Sequence, residues 1–213
     1  MSVAGRFVTL EGGEGAGKTT QIRRLAEALR ADGQDVLVTR EPGGSPGAEE
    51  IRGLIVSGEP GRWDPVTEAL LLYAARRDHL ERTIRPALAA GRWVLCDRFA
   101  DSTMAYQGYG HGLGRQAVLD LHRAAIGDFR PDLTLILDLP VEIGLRRAAE
   151  RGGAGRAEDR FERMGCAFHQ RLREGFLDIA RHEPGRCRIV DAARDPDAVA
   201  ADLIAAVRSR FVP

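Results

Sequence analysis

Lys18 is the only lysine in a chain that carries 31 basic residues, so every other basic side chain is arginine. A background this biased toward arginine retains a lysine where a wide planar guanidinium cannot replace a compact ammonium on a slender stem. Lys18 stands in the run Gly12-Gly-Glu-Gly-Ala-Gly17-Lys18-Thr19, which satisfies the pattern G-x-x-x-x-G-K-[ST]. In that pattern the glycines let the backbone curl so that successive N–H groups point at phosphate oxygens. The start of the following helix adds partial positive charge. The lysine then reaches the β- and γ-phosphates of ATP, and the threonine hydroxyl coordinates Mg²⁺. The candidate ATP-binding set is Gly12, Gly13, Glu14, Gly15, Ala16, Gly17, Lys18, Thr19 and Thr20.

A second charged group implies a second phosphate. The apolar run Val94-Leu-Cys-Asp97 ends in an acid followed by Arg98. Asp97 at a strand end suits a magnesium contact, and Arg98 suits a phosphate. Arg40 ends another strand-like run and precedes the rigid turn Glu41-Pro42-Gly43-Gly44, while Arg52, Arg76 and Arg77 follow. A guanidinium fork grips a phosphate dianion through two hydrogen bonds and holds it for in-line attack. Arg151-Gly-Gly-Ala-Gly-Arg156-Ala-Glu-Asp-Arg160 is rich in glycine and arginine and lacks large apolar residues, which predicts a mobile lid at about 151–160. Closing, such a lid brings arginines to the transferring phosphoryl group and excludes water. A donor site and an acceptor site on one small chain imply phosphoryl transfer. A guanine-reading Asn-Lys-x-Asp segment is excluded, because no second lysine exists.

The elements that must position these residues alternate. Strands are expected at Arg6–Glu11, Asp35–Arg40, Trp93–Asp97, Leu133–Leu139 and Arg188–Asp191. Helices are expected at Thr19–Asp32, Ala48–Ser57, Val66–Ala90, Gln116–Gly127, Val141–Arg151, Arg160–His182 and Pro196–Arg210. That order predicts an α/β fold of the P-loop NTPase kind: a doubly wound five-stranded parallel sheet with helices on both faces and an arginine-rich lid. Residues 1–213 read as one domain. Ligands of such sheets bind beyond the carboxyl ends of the strands, where Glu11, Arg40, Glu41, Asp97 and Arg98 gather.

Composition narrows the partners. The formal net charge is zero, so no overall field draws the chain to nucleic acid or an anionic membrane. No run approaches the ~20 apolar residues of a membrane span. The three cysteines show no metal-type spacing and suit a reducing cytoplasm.

Taken together, Glu11-Gly-Gly-Glu-Gly-Ala-Gly-Lys-Thr-Thr20, Thr39-Arg-Glu-Pro-Gly-Gly44, Asp97-Arg98-Phe99 with Ser102, Ala105-Tyr-Gln-Gly108 and Asp128-Phe-Arg-Pro-Asp-Leu133 resemble bacterial thymidylate kinases over essentially the full chain. The resemblance implies transfer of the ATP γ-phosphoryl group to dTMP, with Mg²⁺, by a cytoplasmic homodimer. It implies that Glu14 lies near the deoxyribose 3′-hydroxyl and that Arg98, Arg40 and Arg52 hold the dTMP phosphate. Glu41, Pro42 and Ser102 join the substrate-binding set. Arg76, Thr103 and Gln107 address thymine, Tyr106 packs against the sugar, Asp97 and Thr19 serve the metal, and Arg147 lies against adenine. Ala16 stands where one class of the family carries a P-loop arginine, so the chain resembles the class whose catalytic arginine lies in the lid. The lid's register leaves Arg151, Arg156 and Arg160 as candidates, beside Lys18 and Arg98.

One departure from the family pattern concerns the base. The position four residues before Arg76, where phenylalanine usually stacks on thymine, is Leu72, and Tyr73 follows it. Either Leu72 covers the base or the helix turns Tyr73 toward it. Other acceptors remain open from the residues alone, among them dUMP, dCMP, dGMP and a nucleoside. So does a protein that binds ATP without transferring phosphate.

Overall fold

The computed structural model describes residues 5–151 and 160–211, with the side chain of Arg151 outside the description. Among these, β1 (Phe7–Glu11), β2 (Val36–Arg40), β3 (Trp93–Asp97), β4 (Leu133–Asp138) and β5 (Cys187–Asp191) form one sheet in the order β2-β3-β1-β4-β5. Every neighbouring pair is parallel. The three inner strands are almost wholly buried, as befits a sheet covered on both faces, whereas β2 and β5 at the edges show partial exposure. Successive side chains of β1 go to opposite faces: Val8 and Leu10 to one core, Phe7 to another.

The first core packs the sheet against α1 (Lys18–Ala31) and α9 (Pro196–Phe211) through Leu25, Leu29 and Leu203. Opposite it lie α2 (Pro46–Val56), α3 (Pro65–His79), α4 (Arg85–Ala89), α5 (Ala100–Thr103), α6 (Arg115–Ile126) and α8 (Cys166–His182), while α7 (Val141–Arg151) sets Ile143 against the first core. Within this second group Phe168, Leu172 and Phe176 of α8 pack with Tyr73 of α3, and Phe7 meets Phe99 edge-on at 4.9 Å. The start of α3 is fixed by Asp64, whose side chain accepts from the N–H groups of Val66 and Thr67, with Pro65 in the first turn.

The expected strands fall in place to within a residue or two, but three helical expectations need correction. The stretch Val66–Ala90 is interrupted by a wider π turn at Leu80–Ile84. Residues 160–165 are not helical, and α8 begins at Cys166. A helical segment that sequence reading missed runs from Ala100 through a second π turn at Met104–Gly110. It carries Ser102, Thr103, Tyr106 and Gln107, and its glycines hid it. π turns concentrate at functional sites, because the extra residue redirects side chains.

Candidate active site

β1 and β3 are adjacent, yet the chain leaves them toward opposite edges of the sheet, and a crevice opens at that switch. Two loops enter it. After β1 the backbone must turn back on itself, and Gly12 and Gly15 do so at φ of 137° and 70°. A Cβ at Gly12 would meet the carbonyl oxygen of Leu137 at 2.5 Å, and one at Gly15 would strike the carbonyl oxygen of Gly144 on α7. The loop is thus wedged between β4 and α7. Helix α1 follows Gly17 without a side-chain cap, which leaves its first N–H groups to serve an anion. Lys18 is 7% exposed, and its ammonium donates to the carbonyls of Gly12 and Gly13 at 3.1 and 2.9 Å. Burial and the neighbouring Arg98 charge lower Lys18 to about 8 against the pull of Asp97, Glu14 and Glu11.

After β3, Arg98 is the one described non-glycine residue with positive φ, 70°. Its guanidinium donates to Gly12 O at 3.0 Å, to Ser102 Oγ at 3.2 Å and to Glu14 Oε1 at 2.9 Å. Tyr106 donates its hydroxyl to the same Glu14 oxygen at 2.5 Å. Burial pushes the Glu14 carboxyl up, but Arg98, Lys18 and the Tyr106 bond prevail and hold it at about 2. Ser102 in turn donates to Glu11 Oε2 at 2.6 Å, and Glu11 Oε1 accepts from the Phe99 N–H at 2.7 Å. Burial and the nearby Asp101 push Glu11 up to about 7. Thr19 donates to Asp97 Oδ2 at 3.1 Å, while Asp97 Oδ1 is buried without a partner. Two hard oxygen ligands beside a phosphate loop fit Mg²⁺, which takes one or two carboxylates plus phosphate oxygens.

A cleft of about 730 Å³ extends from this centre, within the range of small-molecule sites. Arg40, Arg52 and Arg98 line it. Arg40 reaches Glu49 at 3.1 Å, and Arg52 donates to Pro42 O at 2.7 Å. Beyond them Arg76, 2% exposed, donates to Glu41 Oε2 at 2.7 Å and to Phe99 O and Thr103 Oγ1 at 3.0 Å each. His79 Nδ1 lies 3.0 Å from the other Glu41 oxygen, so the acid after β2 is buried between two partners. One Arg76 nitrogen, Nη1, has no partner. Gln107, fully buried, donates Nε2 to Glu68 Oε1 at 2.6 Å, and its Oε1 has no partner. Both residues line the cleft.

Leu72 lines the cleft, whereas Tyr73 is 3% exposed in the α8 core and donates its hydroxyl to Val118 O at 3.3 Å. Tyr73 is therefore corrected from substrate contact to core. Arg160 also differs from expectation. It is fully buried, donates to Ile55 O at 2.9 Å and Glu59 O at 3.2 Å, and places Nη1 2.5 Å from Glu68 Oε2. The buried Glu68 carboxylate requires a cation, and Arg160 supplies it in place of reaching the phosphates. Arg147 on α7 donates to Ala192 O at 3.1 Å, just beyond β5, and Thr20 lies exposed in α1. Arg156 and the side chain of Arg151 lie outside the described residues. Sequence reading overlooked Phe161, which lines the cleft and meets Tyr106 edge-on at 5.3 Å, and the buried Glu68. The signal for Glu68 was an acid on the inner face of an apolar helix, one with no cationic neighbour in sequence.

Among the described residues no helix is long and apolar enough to cross a membrane. The family model for thymidylate kinase matches residues 10–203. The chain is similar to the thymidylate kinase of Caulobacter vibrioides, 60% identical over 207 residues, covering 97% of this chain and 98% of that protein. It is also 60% identical over 203 residues to the thymidylate kinase of Ruegeria pomeroyi, covering 95% and 94%. Among solved structures, thymidylate kinase from Ehrlichia chaffeensis superposes with a TM-score of 0.75 at 34% identity, covering 96% of this chain and 99% of that one.

Proposed function

The chain belongs to the thymidylate kinase family, which phosphorylates dTMP to dTDP with ATP, and from that premise we propose how its own residues divide the work. The observation that carries the choice of acceptor is the unpartnered pair in the cleft, Arg76 Nη1 and Gln107 Oε1. One donor and one acceptor complement the N3–H and O4 edge of thymine. Cytosine presents the reverse pattern, and a buried polar site rejects a ligand that leaves its groups unpaired. Leu72 and Phe161 line the same cleft and offer apolar cover for the ring. Tyr106 and Glu14 meet at 2.5 Å where the resemblance places the sugar, with the Glu14 carboxylate available to the 3′-hydroxyl.

Arg98, Arg40 and Arg52 orient the acceptor phosphate; the first is locked by three hydrogen bonds, so little motion is lost on binding. The P-loop amides and Lys18 hold the ATP phosphates, and Arg147 approaches the adenine side. Thr19 and Asp97 would hold Mg²⁺, which when bound neutralises charge on the β- and γ-oxygens. An acceptor phosphate oxygen attacks the γ-phosphorus in line and ADP leaves. That phosphate is largely ionised near neutral pH, so no side chain takes a proton. Residues 1–213 act as one cytoplasmic kinase domain whose lid arginines, Arg151 or Arg156, complete the charge. Val66 and Leu70, 47% and 51% exposed one turn apart on α3, favour association of two copies, and sedimentation tests it.

The function is tested by ADP release with ATP, Mg²⁺ and a panel of dTMP, dUMP, dCMP and dGMP. Preference for dTMP, with turnover abolished by Lys18→Ala, supports the assignment. dGMP belongs in the panel because guanine offers the same donor and acceptor edge. Equal use of dCMP would overturn the base-reading pair.

A further inference from the structure

Gln107 has two nearly isosteric ends, and which end meets the nucleotide decides which base edge it accepts. Nothing in Gln107 itself settles this. Its amide is wholly buried, and among the described residues the only hydrogen bond it makes is from Nε2 to Glu68 Oε1 at 2.6 Å. Glu68 is fully buried on α3 and accepts in only one sense while ionised. Ionisation at full burial needs support. Arg160 Nη1 sits 2.5 Å from the far oxygen, and His111 Nε2 lies 3.4 Å from the near one. Burial raises the Glu68 carboxyl, yet His111, Arg160 and Gln107 together bring it below the usual range. Arg160 is itself fixed by the carbonyl oxygens of Ile55 and Glu59. A chain of contacts thus runs from the end of α2 through Arg160 and Glu68 to the cleft.

We propose that Glu68 is a specificity-determining positioning residue: held by Arg160, it forces Gln107 to turn Nε2 inward and Oε1 to the cleft, and so selects a base that donates from its ring N–H beside a carbonyl. Glu68 touches no nucleotide atom in this scheme. The inference rests on the thymine-reading role given to Gln107 above. In Glu68→Gln the Arg160 guanidinium claims the new amide oxygen, and the new NH₂ is left facing Gln107. Gln107 then accepts with Oε1 and turns Nε2 toward the cleft.

The test is the ratio of kcat/KM for dTMP to that for dCMP in wild type, Glu68→Gln and the double variant Glu68→Gln/Arg160→Gln. The double variant removes both buried charges together, which guards against a single variant that fails to fold. The expected result is a ratio that falls about tenfold or more in Glu68→Gln, driven by loss on dTMP, and by a smaller factor in the double variant, where no cation fixes the sense of the new amide. A structural role alone lowers both acceptors in proportion and leaves the ratio unchanged; that result overturns the proposal. A wild type without preference for dTMP over dCMP overturns instead the reading of Gln107 on which it rests. In the unliganded wild type the Gln107 side-chain protons, assigned by their loss in Gln107→Met, are expected to exchange slowly with solvent. Rapid exchange would show that Glu68 does not hold them.

Discussion

Tyr106→Phe isolates one hydrogen bond at the centre of the site. The hydroxyl donates to Glu14 Oε1 at 2.5 Å, while the ring meets Phe161 at 5.3 Å and lies under the Arg98 guanidinium at 5.0 Å. Phenylalanine keeps both ring contacts, so the fold and the placement of Arg98 survive. A hydrogen bond to a charged group contributes about 1.5–3 kcal/mol net. Glu14 retains Arg98 at 2.9 Å, so the loss falls in the lower half of that range, about 1.5–2 kcal/mol. That corresponds to roughly a 10- to 30-fold fall in kcat/KM for dTMP. The carboxyl of Glu14 moves up from about 2 but keeps Arg98 and Lys18, so no new acid limb is expected above about pH 5. The assay is coupled ADP release with varied dTMP, repeated with the 3′-deoxy analogue. If Tyr106 acts by holding Glu14 for the 3′-hydroxyl, the two losses are less than additive. A variant within twofold of wild type, or strictly additive losses, refutes the reasoning.

Lys18, lowered by burial to about 8, loses its proton as pH rises through that value, so kcat/KM for ATP is expected to fall above pH 8. The kcat profile stays flat to higher pH, because bound phosphates raise Lys18 again; the two pH–rate profiles check this. Glu11 is raised to about 7 in the folded chain against 4.5 for an ordinary glutamate, so the folded state binds the extra proton between those values. Stability therefore declines as pH rises through that window, and Glu11→Gln flattens the decline in melting temperature. Leu72→Phe adds an aromatic face to the cleft and is expected to lower KM for dTMP about two- to tenfold, from ~0.5–1.5 kcal/mol of stacking. Tyr73→Phe removes a core hydrogen bond, costs about 0.5–1.5 kcal/mol in denaturant melts and leaves KM for dTMP unchanged.

The legible parts of this site are those whose geometry is local. The phosphate loop is eight consecutive residues between a strand and a helix, and the backbone freedom of Gly12 and Gly15 is a property of the residue type. The strands were legible because inner parallel strands are apolar almost without interruption. The helix that carries Thr103, Tyr106 and Gln107 was not, because the glycines at 108 and 110 read as turns, whereas Val118 of α6 packs at Gly108 and Phe168 of α8 at Gly110. The polar chain through the cleft was beyond sequence for another reason. Arg76 meets Glu41 from 35 positions away, Gln107 meets Glu68 from 39, and Arg98 meets Glu14 from 84. Composition marked these residues only as polar, and in a chain with 31 basic and 31 acidic residues most charges are solvated. The sequence by itself determined that a phosphate-loop pattern with the single lysine follows β1 and that the charged pair Asp97 and Arg98 closes β3. Only the tertiary structure decided that Tyr73 serves the core, that Arg160 answers a buried carboxylate, and which atoms of Arg76 and Gln107 are left without a partner. Those outcomes depend on burial, since a buried charge must find its counterion wherever the fold brings one near.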